Sequence, residues 1–197
     1  SPLSGDPRPG NAKFKKLTPV DENSANPYTL TDDDRTVIGN TTPKFSGGFG
    51  LNATFKGFDV SAFFNFMYDF DVFNANKVMM TTWASNNYNN FSMDISAAKR
   101  WRNFDDMGNE IRYSPEILAE FNKNATMWNP TSIGRPIAMS YAVEDGSFLR
   151  LNTATIGYTL PRAWTNKVGL SRVRFYASGY NLFTITGYSG YDPEVDI

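Results

Sequence analysis

The chain has 197 residues, with 19 Lys+Arg against 20 Asp+Glu, no His and no Cys. Disulfides, thiolate nucleophiles, Cys-ligated metals, His-based triads and the usual zinc sites are thereby excluded. A formal net charge of −1, with no basic run longer than Lys15-Lys16 or Lys99-Arg100, argues against a nucleic-acid partner.

Aromatics make up 15% of residues, yet mean hydropathy is only −0.42. No apolar run approaches the roughly 18 residues of a membrane-crossing helix. Membrane-crossing strands stay open, since each needs only about 10 residues of alternating pattern.

Residues 1–45 are loop-like and studded with Pro, Asp and Asn. From 46 to 70 strict period two sets in. Phe49, Leu51, Ala53 and Phe55 alternate with small polar residues, and Phe58, Val60, Ala62, Phe64 and Phe66 do so after Lys56-Gly57. That is the strand signature. A two-residue turn at Lys56-Gly57 sets Phe55 opposite Phe58, Ala53 opposite Val60 and Leu51 opposite Ala62, so the apolar sets share one face.

Residues 71–146 show no sustained alternation; Ser92–Phe104 and Ser114–Lys123 read as short helices, the second with Pro115 at its first helical position. A second strand pair fills 147–184. Its first member is Phe148–Thr159, stopped by Pro161, and its second alternates Val173, Phe175, Ala177 and Gly179 with polar partners. Residues 185–197 begin another loop. The fold class is all-β, four antiparallel strands with tight turns on one side and long, partly helical loops on the other. That asymmetry is the habit of outer-membrane barrels, while alternation by itself also suits a soluble β-sandwich with a Phe core.

Several segments, in order and at this spacing, resemble one family. They are Asp34-Arg35-Thr36-Val37-Ile38-Gly39-Asn40 with Pro43-Lys44-Phe45, Lys56-Gly57-Phe58-Asp59, Val143-Glu144-Asp145-Gly146-Ser147-Phe148-Leu149-Arg150-Leu151, Gly157-Tyr158-Thr159-Leu160-Pro161, Gly179-Tyr180-Asn181-Leu182-Phe183-Thr184 and Tyr188-Ser189-Gly190-Tyr191-Asp192-Pro193-Glu194-Val195. Together they look like the C-terminal part of a SusC/RagA-type TonB-dependent outer-membrane transporter of the Bacteroidota. The resemblance implies a 22-stranded transmembrane barrel with an N-terminal plug. This chain would then hold four late strands and their extracellular loops, without plug or final strand. It also implies a Gram-negative outer-membrane location, TonB engaged through the N-terminal region, a SusD-like surface lipoprotein as partner, and an oligosaccharide or peptide as solute. No cofactor and no enzymatic activity are implied. Relatives carry a calcium-loop-like stretch before the Asp-Arg-Thr-Val-Ile-Gly motif; here Asp21 to Asp34 lacks its ligand spacing and central Gly, and Asp32–Asp34 reads as a solvated turn pairing Arg35.

On the barrel reading Phe49, Leu51, Ala53, Phe55, Phe58, Val60, Ala62, Phe64 and Phe66 face lipid, and some of Tyr68, Phe70, Tyr158, Trp164, Tyr180 and Phe183 form interfacial girdles. Trp83, Asn86, Asn87, Tyr88, Asn89, Asn90, Trp101, Arg102, Trp128, Asn129 and Arg135 are the candidates for solute or partner contact. Aromatic faces stack on sugars or side chains, and Asn and Arg supply directional hydrogen bonds; the same residues also serve as buried loop anchors and turn formers. The acid pairs Asp105-Asp106 and Glu144-Asp145 read as surface charge rather than as general acid and base. A carbohydrate-binding sandwich without catalysis and a passive porin are the alternatives to the importer.

Overall fold

The computed structural model describes residues 8–25, 27, 29–83, 90–133 and 137–194, which fall into two compact units. One unit comprises Gly39–Phe73 and Val143–Ile197; the other comprises Ser1–Ile38 and Asn74–Ala142.

The first unit is a sheet. Strand β1 (Phe45–Phe55) turns into β2 (Phe58–Tyr68) through Lys56 and Gly57. Both turn residues have positive φ, 46° and 88°, the backbone of a type I′ turn that matches strand twist. A Cβ on Gly57 would also stand 2.8 Å from the Thr159 carbonyl oxygen. The pairing is Phe55 to Phe58, Ala53 to Val60, Leu51 to Ala62 and Phe49 to Phe64, the register that the alternation demands.

Two three-residue strands, β3 (Asp71–Phe73) and β4 (Val143–Asp145), form a separate antiparallel ladder at the end of the sheet away from that turn. Three residues are too few for alternation to be read, so this ladder is legible only in the structure. It is secured by the Asp71 carboxylate, which accepts the Asn40 N–H at 2.7 Å. Beside it Phe70, Val72 and Phe148 form a buried cluster that leaves no room for a side chain at Gly146.

Strands β5 (Phe148–Thr159) and β6 (Arg174–Thr186) complete the sheet in the order β1-β2-β5-β6, every pair antiparallel. A one-turn helix, Arg162–Thr165, and a 3-10 turn, Asn166–Val168, bridge β5 to β6. At 11, 11, 12 and 13 residues the strands exceed the usual five or six of soluble sheets. Asn152 bulges out of β5 between Leu151 and Thr153, which keeps inside and outside in step across the irregularity.

The second unit carries little regular structure. Helix α1 (Ala75–Thr81) starts at Asn74, whose side chain accepts the Lys77 N–H, and α2 (Pro115–Asn122) has Pro at its first turn. Its core joins Val78, Ile133, Met139 and Ala142, with Phe14, Trp128 and Tyr141 packed against them. The helix expected over Ser92–Phe104 does not form beyond a 3-10 turn, Met93–Ile95. Long-range partners take its backbone instead: Trp101 N–H donates to the Met127 carbonyl at 2.8 Å, and Asn122 brackets the Arg102 backbone through both amide atoms. No described helix is long and apolar enough to cross a membrane.

Candidate functional site

Directly opposed residues of an antiparallel sheet share a face, so the register sorts all four strands. One face carries Phe49, Leu51, Ala53, Phe55, Phe58, Val60, Ala62, Phe64 and Phe66. It continues through Leu149, Leu151, Ile156 and Tyr158 of β5 into Phe175, Phe183 and Ile185 of β6. Phe49 stacks on Phe64 at 5.0 Å and Phe58 lies 4.4 Å from Tyr158. The face stays open: Leu51 is 60%, Phe55 70% and Phe175 65% exposed. No second four-stranded layer covers it among the described residues, in contrast to a sandwich core.

The opposite face is polar and internally bonded. Asp59 and Arg174 pair across β5, the Arg Nε reaching Asp59 Oδ1 at 3.0 Å, and the pair lies over Gly157, where a Cβ would overlap the guanidinium. Thr155 and Ser178 share a hydroxyl bond of 2.8 Å. Phe63 lies on this side with Tyr176 and Tyr180, laid against Gly48, whose added Cβ would stand 2.8 Å from the ring. Arg150 binds Asp192 at 2.5 Å, Glu194 at 2.9 Å and the Thr184 hydroxyl at 3.1 Å, with only 12% of its side chain exposed. That triad ties the Phe-Leu-Arg-Leu segment to Asp192-Pro193-Glu194; a lone cation inside a Leu-rich strand was the available clue to it. Of the girdle candidates, Tyr68 and Phe183 stay exposed, whereas Phe70 is buried in the cluster under β3. Tyr180 is not at a strand end but opposite Thr153, well inside β6 on the polar face.

The two ends of this unit differ in charge. At the β3–β4 end Lys44 pairs with Asp69, near Asp71, Glu144 and Asp145; the last two are occupied locally, Glu144 by Ser189 and Asp145 by Ser147. At the turn end a shallow groove is lined by Lys56, Asp59, Arg172 and Arg174 among others.

In the second unit the segment Met127–Pro130 gathers the tryptophans. Trp101 hydrogen-bonds to Met127 and its ring covers Gly10; Asn129 N–H reaches the Gly10 carbonyl, and Trp83 N–H reaches Pro130 at 2.9 Å. Trp128 packs edge-on to Tyr141 at 4.8 Å and donates from Nε1 to the Thr81 carbonyl at 3.3 Å. Asn129 accepts from Thr131 N–H and hydroxyl, a local turn. Arg102 lies over Phe121 at 5.4 Å and bonds Asp106 at 2.5 Å. Trp83, 44% exposed, pairs with Phe91 at 5.6 Å, and Asn90 is exposed. Asn86, Asn87, Tyr88, Asn89 and Arg135 lie outside the described residues. Trp101 and Trp128 therefore work as anchors of this unit, and Trp83 presents the open aromatic surface.

The acids show how the chain uses carboxylates. Asp32 pairs with Arg35 at 3.0 Å in solvent. Asp34, beside it, has 3% of its side chain exposed and accepts the N–H groups of Leu17, Thr18 and Thr31 within 2.9 Å and the Thr18 hydroxyl at 2.7 Å. The Thr18 and Thr31 amides, chiefly, hold its carboxyl well below the usual carboxylate range. Asp105 is also lowered, first by the Asn109 side chain and then by the backbone of its own turn.

No protein-family model matches the chain. TonB-dependent receptor P3 of Formosa agariphila is 34% identical over 194 residues, 98% of this chain and 16% of that protein. TonB-dependent receptor SusC of Bacteroides thetaiotaomicron is 31% identical over 135 residues, 61% of this chain and 13% of that receptor. Among solved structures, the RagAB peptide transporter superposes with a TM-score of 0.65 at 25% identity, covering 85% of this chain and 16% of that one. The chain thus spans less than a fifth of each relative's length. Sequence and strand arrangement agree, and the chain belongs, as a segment, to the SusC/RagA-like TonB-dependent transporters.

Proposed function

We propose that this segment is part of the barrel wall of an outer-membrane importer that takes up oligosaccharides or peptides with TonB-dependent energy, in the outer membrane of a Gram-negative bacterium of the Bacteroidota. The carrying observation is the two-faced sheet: four long strands, one face apolar and open, the other polar and cross-linked by Asp59–Arg174 and Thr155–Ser178. Hydrocarbon suits the first face, and a hydrated lumen suits the second. Phe49 through Phe66 are then the lipid contact, and the wall supplies the route while a plug elsewhere in the protein gates it.

The excursion between β3 and β4 is the extracellular part, serving solute capture or a SusD-like lipoprotein. Its support is topological, since it leaves the sheet at the end away from the Lys56-Gly57 turn, and chemical, since Trp83 and Asn90 are exposed there. Removing Asn86–Asn90 from the full-length transporter should leave assembly intact and impair uptake or lipoprotein co-purification. Survival of both would confine this stretch to a structural role.

A further inference from the structure

Charge is distributed unevenly along the strands of the sheet unit. From Phe55 to Asp59 and from Leu160 to Arg174 the cations are Lys56, Arg162, Lys167, Arg172 and Arg174, and the acid is Asp59. Asp59 is taken by Arg174. Lys56, Arg162, Lys167 and Arg172 make no ion pair among the described residues, and all four are exposed. The same end exposes Trp164 at 60%, Val168 at 69% and Leu170 at 50%. These residues sit on the bridge between β5 and β6, whose one-turn helix and 3-10 turn bury Thr165 while turning Trp164 and Lys167 outward. The opposite end of the unit carries six acids, Asp69, Asp71, Glu144, Asp145, Asp192 and Glu194, against the cations Lys44 and Arg150, both of them paired there.

From this polarity we infer that the turn end is a docking surface for anionic phospholipid headgroups of the periplasmic leaflet. The inference rests on the barrel reading above. Three features favour lipid over a protein partner. Lys56 and Arg172 border the shallow groove at the turn while Arg162 and Lys167 lie outside it, so the unpaired charge is spread along a rim, which matches a layer of phosphates. An indole beside them is the residue type that settles at a headgroup boundary. The surface is also continuous with the lipid-facing stripe, because Phe55, Phe58 and Tyr158 end that stripe at the same turn. Arg162, Lys167 and Arg172 bind phosphate, and Trp164 and Leu170 rest among the glycerol and upper acyl carbons.

The test uses the full-length transporter, purified in a neutral detergent and titrated with phosphatidylglycerol or phosphatidylcholine, with retained lipids counted by native mass spectrometry. The wild type should retain phosphatidylglycerol preferentially, and salt should weaken the preference. The triple variant R162Q/K167Q/R172Q should lose affinity for it on the order of 100-fold and keep its hold on phosphatidylcholine. The charge-preserving R162K/R172K should behave as wild type. Equal retention by wild type and the triple variant overturns the inference, as does loss of a periplasmic protein partner with lipid binding unchanged. Heat-modifiable mobility of the barrel is recorded on every sample. Its absence in the wild type sinks the transporter reading, whereas a folded wild-type barrel without lipid preference sinks this inference and leaves that reading standing.

Discussion

The two units put similar apolar content to opposite uses. In the sheet unit Leu51, Phe55, Phe58 and Phe175 stand open, each more than half exposed, although the strands around them are regular. In the excursion Val78, Ile95, Ile133 and Ala142 are each at most 4% exposed, although regular structure among its described residues amounts to two short helices and a few 3-10 turns. Backbone order and side-chain burial are thus separate achievements. A sheet satisfies its backbone by strand pairing and can leave one face to its surroundings. An irregular loop has no ladder, so it must recruit buried anchors and side-chain caps such as Trp128, Asn74 and Asn122 to fix its course.

Phe64→Arg gives the largest expected separation between the two units. A cation on the open face near the middle of β2 should cost about 2 to 4 kcal/mol of assembly if that face meets hydrocarbon. Heat-modifiable mobility of the full-length transporter reads it, and unchanged assembly removes the lipid-facing assignment. The sheet should be indifferent to Trp128→Ala, which instead opens the core of the excursion. About 3 kcal/mol of local stability is at stake, visible as faster hydrogen exchange in α1 and residues 127–133 with the strands unaffected. Equal acceleration in both units would erase the contrast.

A smaller effect is specific to pH. The folded-state pKa of Asp34 is depressed, so its contribution is complete above the ordinary carboxylate pKa of about 3.9 and is lost as pH falls toward the folded value. Protection of the Leu17 and Thr18 amides should persist at pH 5 and fade only in stronger acid. In Asp34→Asn it should be weak at every pH; a pH-independent wild type would refute the assignment. Least of all is Gly157→Ala, whose methyl displaces the Asp59–Arg174 pair. For a partly exposed pair the cost is below about 1 kcal/mol, and a double-mutant cycle with Asp59→Asn should show the two changes to be non-additive.

Much of this molecule is written in period two. Alternation from Phe49 to Phe66, with a turn pair between its halves, determined strand limits to within a residue or two, the register and the sharing of one face, because a one-residue slip would invert every side chain. Motif order carried the family. What the sequence could not determine was local order without periodicity. The three-residue ladder of β3 and β4, the failure of a helix over Ser92–Phe104 and the anchoring roles of Trp101 and Trp128 all depend on partners distant in the chain, and local propensity contains no information about them. Asp34 shows the same limit in one residue. It sits in a run of three acids of equal apparent character, and only the fold, by bringing Leu17, Thr18 and Thr31 around it, buries that carboxylate and leaves Asp32 in solvent with Arg35.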